Sequence, residues 1–327
     1  MGTGTARQSD PFAGRGAVER AALVRAIRRD GALTDPAWRR AFEEVPRHLF
    51  VPYYYAGTPG GYERLWRDDP DEDRRRRWLE GAYANTPLAT RVRDGELISS
   101  SSQPSLMARM LEALDVRAGH RVLEIGAGTG YNAALLCHRL GDDFVTTVDL
   151  YPEITEAARA HLADAGHHPA VVTGDGSRGC AAHAPYDRII ATCMLTAVPA
   201  AWLAQCAPDA LILAPLGTGL LRLRVTAPGE GSGRFLETPA YFVPLRGGGR
   251  EEPYEDTSGV PRRALGSDAF RFALALTAGV VPARELYEVW EDAGQPERER
   301  FGVSVRGGEQ WVWLDSADGP YRWPVPR

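Results

Sequence analysis

Residues 122–136 read VLEIGAGTGYNAALL. A short apolar run carrying one carboxylate leads into glycines at every second position, and apolar residues at helical spacing follow: strand, tight turn, helix. Gly126, Gly128 and Gly130 permit positive φ and let the backbone approach a ligand with no Cβ in between. Many doubly wound folds use such a turn. A dinucleotide, its pyrophosphate on the helix N-terminus, is one ligand it admits. The surrounding chain has to decide.

Outward from the turn, FVTTVDL (144–150), AVVTGDG (170–176), DRIIAT (187–192) and ALILAPL (210–216) are short β-branched runs separated by helical segments such as 153–165. Strands alternating with helices imply an α/β fold, a parallel sheet covered by helices on both faces. RLRVTA (222–227) and AYFVPL (240–245) are expected to close the sheet as antiparallel members. Upstream, Asp35 and Pro36 start a helix that ends before Pro46.

Two acids refine the ligand. Asp149 ends the strand after the turn, where a carboxylate can accept both hydroxyls of a ribose. Asp175, with Gly176, ends the next strand and can take an adenine amino group. The turn is G-x-G-x-G, not the G-x-G-x-x-G of dinucleotide binders. An adenosine without phosphates satisfies all three features, and S-adenosylmethionine is that ligand. Thr129 and Tyr131 follow the turn closely enough to touch its methionine part. Thr192 ends another strand at the carboxyl edge, where ligands of open α/β sheets sit.

The chain has 327 residues, 44% hydrophobic and 25% charged, with a net charge of −5, which speaks against a nucleic-acid footprint. All 38 Lys+Arg cations are arginine. Cys137, Cys180, Cys193 and Cys206 form no C-x-x-C pair, so buried free thiols are expected and no metal site. No signal-peptide pattern and no membrane-length apolar run is present, so a cytoplasmic protein is expected. Residues 1–17 are expected to be disordered. Residues 56–81, with an acidic then a basic block, read as a solvated surface insertion. SSSS at 99–102 reads as a loop of hydroxyls. Beyond 245 a linker, a helix at 267–279 and a hairpin turning on Gly307-Gly308 make a small α+β C-terminal extension (246–327), read as a possible peptide-binding unit. His48, at a helix end among apolar neighbours, reads as a packing residue.

EVPRHLFVP (44–52), SQPSLMARML (102–111), VLEIGAGTGY (122–131), GDG (174–176), APYDRIIAT (184–192) and FVPL (242–245) together resemble the protein-L-isoaspartate O-methyltransferases, over residues 18–245 without the insertion. The resemblance implies a Rossmann-like class I sheet, S-adenosylmethionine as cofactor, and methyl-ester formation on an aspartyl-type carboxylate of a peptide or protein. It places Ser102, with Ser101, on the substrate side. It places Gln103, Glu124, Gly126, Ala127, Gly128, Thr129, Gly130, Asp149, Leu150, Asp175, Gly176 and Thr192 around the cofactor. Ser102 is equally suited to cap the helix starting near Pro104. Asn85 stands where the family usually has Asp. SSSSQP (99–104) and the Trp-rich tail EQWVWLDSADGPYRWP (309–324) resemble a subgroup encoded with ribosomally made peptides, which methylates a normal aspartate of a modified, cyclised precursor and so produces aspartimide. That substrate is the expectation, with general repair of isoaspartyl proteins as the alternative.

Overall fold

In the computed structural model, which describes residues 10–246 and 256–325, the chain builds two sheets. The smaller is antiparallel, with β1 (Tyr53–Thr58), β2 (Gly61–Trp66), β3 (Leu88–Arg93) and β4 (Glu96–Ser101) in the order β2-β1-β3-β4. The larger contains β5 (Val122–Ile125), β6 (Val145–Asp149), β7 (Ala170–Thr173), β8 (Tyr186–Ala191), β9 (Cys206–Leu216), β10 (Gly219–Ala227), β11 (Glu230–Pro239), β12 (Phe301–Arg306), β13 (Glu309–Leu314) and β14 (Arg322–Pro324). Their order is β14-β13-β12-β11-β10-β9-β8-β5-β6-β7.

Strands β7, β6, β5, β8 and β9 are parallel, and the rest add on antiparallel. Both faces of the central strands are buried, and the two-residue period sorts their side chains between two cores. Val122, Ile190, Leu211 and Leu213 join one. Leu123, Ile125, Ile189, Ile212 and Ala214 join the other. The chain leaves β5 towards β6 and β7, then returns to β8 on the other side of β5. The crevice outside the carboxyl end of β5 is therefore the topological switch point, where ligands of such sheets bind.

Several expectations need correction. Residues 1–9 lie outside the described residues, but the helix Ala13–Arg29 begins inside the stretch expected to be disordered. It packs because Gly16 is bare: a Cβ there would lie 2.9 Å from His48 Cε1. Residues 56–81 are solvated over much of their length, as expected, but they are built into the fold. They complete the β1–β2 hairpin and form most of the helix Glu72–Ala82, which buries Trp78 and Leu79 and is capped by Asp71. Glu72, Asp73, Arg76, Arg77 and Glu80 of that helix are exposed, while Arg74 and Arg75 are half-buried. Residues 240–245 are not a strand; a single bridge joins Pro244 to Met194, just past β8, and the antiparallel partners of β10 are β9 and β11.

The tail continues the main sheet. Its hairpin turns at Gly307 and Gly308, with φ of 59° and 83°, and β12 pairs with β11. The helix Asp268–Thr277 lays Phe272 between Phe235 and Phe301, ring centroids 4.8 and 5.6 Å away and edge to face. The described residues from 256 to 325 thus share a core with β9–β11, where an appended unit was expected.

Phe272 is fully buried at that junction. Phe272→Ala is expected to cost about 3–5 kcal/mol. Thermal melts with and without S-adenosylhomocysteine check this: a large fall in melting temperature should come with an unchanged ligand-induced increment.

Candidate active site

The turn after β5 is anchored to its neighbour strand before any ligand is considered. The N–H groups of Gly126 and Ala127 donate to Val148 O at 2.8 and 3.1 Å. Thr192 Oγ1, one residue past β8, donates to Gly126 O at 2.8 Å. Gly126 has φ 96°, and a Cβ on it would sit 2.6 Å from that hydroxyl oxygen, so only glycine fits. Gly128 donates its N–H to Asp149 Oδ2 at 3.0 Å. On its other side, a Cβ would lie 3.3 Å from Ser100 O.

That last contact brings in the serines. Residues 96–101 form strand β4, not a loop, in register with β3 from Leu88↔Ser101 to Arg93↔Glu96. The hydroxyls alternate: Ser99 and Ser101 are buried, while Ser100 and Ser102 are half-buried. Serine has little β propensity, so pairing with β3 and the crossing over the turn hold the strand. Ser102 does not cap the next helix. The N-cap of Pro104–Ala113 is Gln103, which makes no side-chain cap, and Asn85 Oδ1 instead accepts the Ser105 N–H at 2.9 Å.

Between turn and strand lies a cleft enclosing about 870 Å³, part of it open to solvent. It gathers Ser101, Ser102, Glu124, Gly126, Ala127, Gly128, Thr129, Asp149, Leu150, Gly176 and Thr192, with Tyr131 beside them. Three anticipated residues are placed elsewhere. Gln103 turns its amide to Ser105 Oγ at 3.0 Å. Gly130, with φ 87°, faces Ala158 O in the helix Pro152–Asp164, so it serves helix packing. Asp175 Oδ1 accepts the Ser177 N–H at 2.9 Å and the Ser177 hydroxyl at 2.7 Å, capping its own 3-10 turn beside the cleft.

Sequence reasoning missed Tyr151, Cys193 and Arg246, which also line the cleft. Arg246 donates to Ile98 O at 2.8 Å and to Leu97 O, strapping the segment after Pro244 onto β4. Its only signal was its place directly after FVPL.

Glu124 is fully buried within β5 and accepts from Asn132 Nδ2 at 2.7 Å and Thr147 Oγ1 at 2.6 Å. Burial outweighs those bonds and pushes its pKa up to about 7. Burial also raises Asp149, opposed by the N–H groups of Gly128, Tyr151 and Leu150. His48 is a packing residue here, enclosed at 2.7 Å from Tyr83 Oη and 2.8 Å from Asp10, with burial lowering its pKa. Cys137, Asp142 and His167 place ligand-type atoms within 4.8 Å of one another. Asp142 there accepts hydrogen bonds from His167 and the His168 N–H.

The cleft suits an adenosyl ligand by its donor set. A desolvated carboxylate, Asp149, stands in it for a diol, and the backbone comes close at two bare glycines. A cleft of this kind, at the switch point of the parallel half of a mixed sheet, defines a class I S-adenosylmethionine-dependent methyltransferase.

Comparison with known proteins narrows the class. Residues 72–248, more than half the chain, match the family model for protein-L-isoaspartate(D-aspartate) O-methyltransferase (PCMT). A protein-L-isoaspartate O-methyltransferase of Aeropyrum pernix is 34% identical over 247 residues, 74% of this chain and 83% of the relative. One from Azorhizobium caulinodans is 37% identical over 200 residues, 61% and 78% of the two chains. Among solved structures, a protein-L-isoaspartate O-methyltransferase shares the fold with a TM-score of 0.63 at 22% identity, covering 91% of this chain and 100% of its own. A Plasmodium falciparum chain described as the same kind of enzyme, in complex with S-adenosyl-L-homocysteine, shares it with a TM-score of 0.52 at 13% identity, covering 69% and 98%. The chain belongs to the protein-L-isoaspartate O-methyltransferase family, and is a carboxyl O-methyltransferase with S-adenosylmethionine as its cofactor. The family match begins at residue 72, inside the stretch read as an insertion. No helix among the described residues is long and apolar enough to cross a membrane.

Glu124 gives a prediction in pH. Its folded pKa lies above its unfolded value, so the folded state binds more protons and stability falls as pH rises from about 4.5 through about 7. The size is roughly 3 kcal/mol at most. Glu124→Gln should remove this slope: urea midpoints at pH 5 and pH 8 should differ less in the variant than in the wild type.

Proposed function

We propose that the protein esterifies the free carboxylate of isoaspartyl residues in proteins and peptides, with the methyl group coming from S-adenosylmethionine. The observation that carries this reading is the serine strand β4, whose end supplies Ser101 and Ser102 to the same cleft as Asp149 and the glycine turn. Asp149 is assigned to the ribose hydroxyls. The backbone at Gly126–Gly128 is assigned to close contact with the cofactor, and Thr192 to holding that turn in shape. Bound there, the cofactor supplies a methyl group on a sulfonium.

The carboxylate is already ionised at neutral pH, so no general base is needed. What the protein contributes is approach. A hydroxyl holds the carboxylate while leaving it nucleophilic, where a direct guanidinium pair would tie up its lone pairs. Ser102 is half-buried at the cleft and is assigned this contact. Positioning of this kind can carry a large part of a barrier.

A modified ribosomal peptide was the expected substrate because the tail looked like an addition for one partner. Two observations weaken that ground. The fold comparison leaves less than a tenth of this chain unaligned, a smaller share than residues 246–327 occupy. No described residue from 256 to 325 lines the cleft, and β13 lies six strand spacings from β5, roughly 29 Å. General isoaspartyl substrates are therefore the better-supported reading.

The test is methyl transfer to an isoaspartyl hexapeptide, its aspartyl isomer and a cyclised Asp-containing precursor. Turnover on the first and little on the others is expected; turnover on the precursor alone refutes the assignment. Ser102→Ala should lower kcat/KM for the isoaspartyl peptide by roughly ten- to a hundredfold, the loss of one hydrogen bond to a charged group. Calorimetry should show S-adenosylhomocysteine affinity unchanged.

A further inference from the structure

Three arginines are buried among the described residues: Arg47, Arg188 and Arg298. Arg298 pairs with Asp268 at 2.6 Å, and Arg188 has Asp115 at 3.9 Å. Arg47 is fully buried, and among the described residues no carboxylate lies within ion-pair distance of it. Its guanidinium is held by oxygens alone. Nη1 donates to Ala82 O and Ala84 O at 2.9 and 3.0 Å. Nη2 reaches Ser101 Oγ and Ser102 O, both at 3.2 Å, with Thr86 O and Ser101 O further off. Nε has no partner. Burial pulls its pKa down only to about 10, which leaves it cationic at neutral pH.

A buried charge without a counter-charge is costly, and proteins seldom keep one without use. This one stands directly behind the residues that face the cleft. Because Ser101 Oγ accepts from Arg47, its own hydroxyl hydrogen is free for another acceptor, and Ser101 lines the cleft. The carbonyls of Ser101 and Ser102 are drawn onto Arg47, so they do not oppose an incoming anion.

We propose that Arg47 is a positioning residue whose uncompensated charge, relayed through the Ser101 hydroxyl, makes the cleft selective for a carboxylate over a neutral group of the same shape. The inference rests on the isoaspartyl reading of the site and names how that site recognises its acceptor. One hydroxyl separates cation from anion, which places them roughly 6 Å apart by ordinary hydrogen-bond lengths. At that range the charge attracts the carboxylate without occupying its lone pairs. Methyl transfer merges an anion and a sulfonium into two neutral products, with the carboxylate oxygen bonding to carbon as the carbon–sulfur bond breaks. A nearby cation therefore favours binding over the chemical step, and its removal should act on KM more than on kcat.

The experiment compares an isoaspartyl peptide with its carboxamide counterpart on wild type, Arg47→Lys, Arg47→Gln and Ser101→Ala, each loaded with S-adenosylhomocysteine for binding and with the methyl donor for kinetics. Wild type is expected to favour the carboxylate peptide by about tenfold or more, as for a hydrogen bond to an ion. Arg47→Lys should keep most of that preference. Arg47→Gln and Ser101→Ala should bring it below about threefold, raising KM with kcat little changed and S-adenosylhomocysteine binding intact. If Arg47→Gln does not fold by circular dichroism, Ser101→Ala decides alone. A folded Arg47→Gln or Ser101→Ala that keeps the full preference overturns the proposal, as does equal weakening of peptide and S-adenosylhomocysteine. A wild type that binds neither peptide refutes the substrate reading itself, and this assignment with it.

Discussion

Ser100 and Gly128 meet backbone against backbone, and the cleft exists because they do. Two sheets of different construction, one antiparallel and one mixed, come close enough that a Cβ on Gly128 would lie 3.3 Å from Ser100 O. Each neighbouring feature keeps that approach in place. Asp149 holds the Gly128 amide, Thr192 ties the turn to β8, and Arg246, itself in the cleft lining, grips the carbonyls of Leu97 and Ile98 on β4. Arg47 fastens the end of the same strand to the chain around residues 82–86. The serines lie where they do because two arginines from distant stretches of chain, Arg47 and Arg246, hold the strand while Asp149 and Thr192 hold the turn it crosses.

The tail shows how misleading a composition boundary can be. A glycine-rich stretch near 246–249 looks like the joint between two units, yet β12 takes the open edge of β11 and Phe272 enters the core between Phe235 and Phe301. An exposed edge such as that of β11 invites pairing with other chains, and β12–β14 cover it, leaving a final strand of three residues at the border. Their role here is to finish the sheet.

The parts legible in the sequence were those written locally. The glycine turn, the acid at the end of β6 and the threonine at the end of β8 each sit at a strand terminus, and strand termini can be found from β-branched runs. Asp175 shows the limit of this method: it too ends a strand, but its carboxylate closes on Ser177 two residues later. The serine strand was illegible because its conformation comes from pairing and crossing, neither of which serine itself favours. Arg47, Asn85 and Arg246 act across 54, 20 and 148 positions of chain, and no local pattern announces such partners. Trp78, hidden among arginines and acids, was obscured by the charge around it.

Asn85 has a consequence of its own. It sits at the joint where the strand of serines passes into the helix Pro104–Ala113, and its amide oxygen receives the Ser105 N–H. An aspartate there would lose its charge in acid and slacken its hold on the helix start. An amide has nothing to titrate, so this hold on the helix start does not change with pH, unlike the buried carboxyls of Glu124 and Asp149 in the cleft.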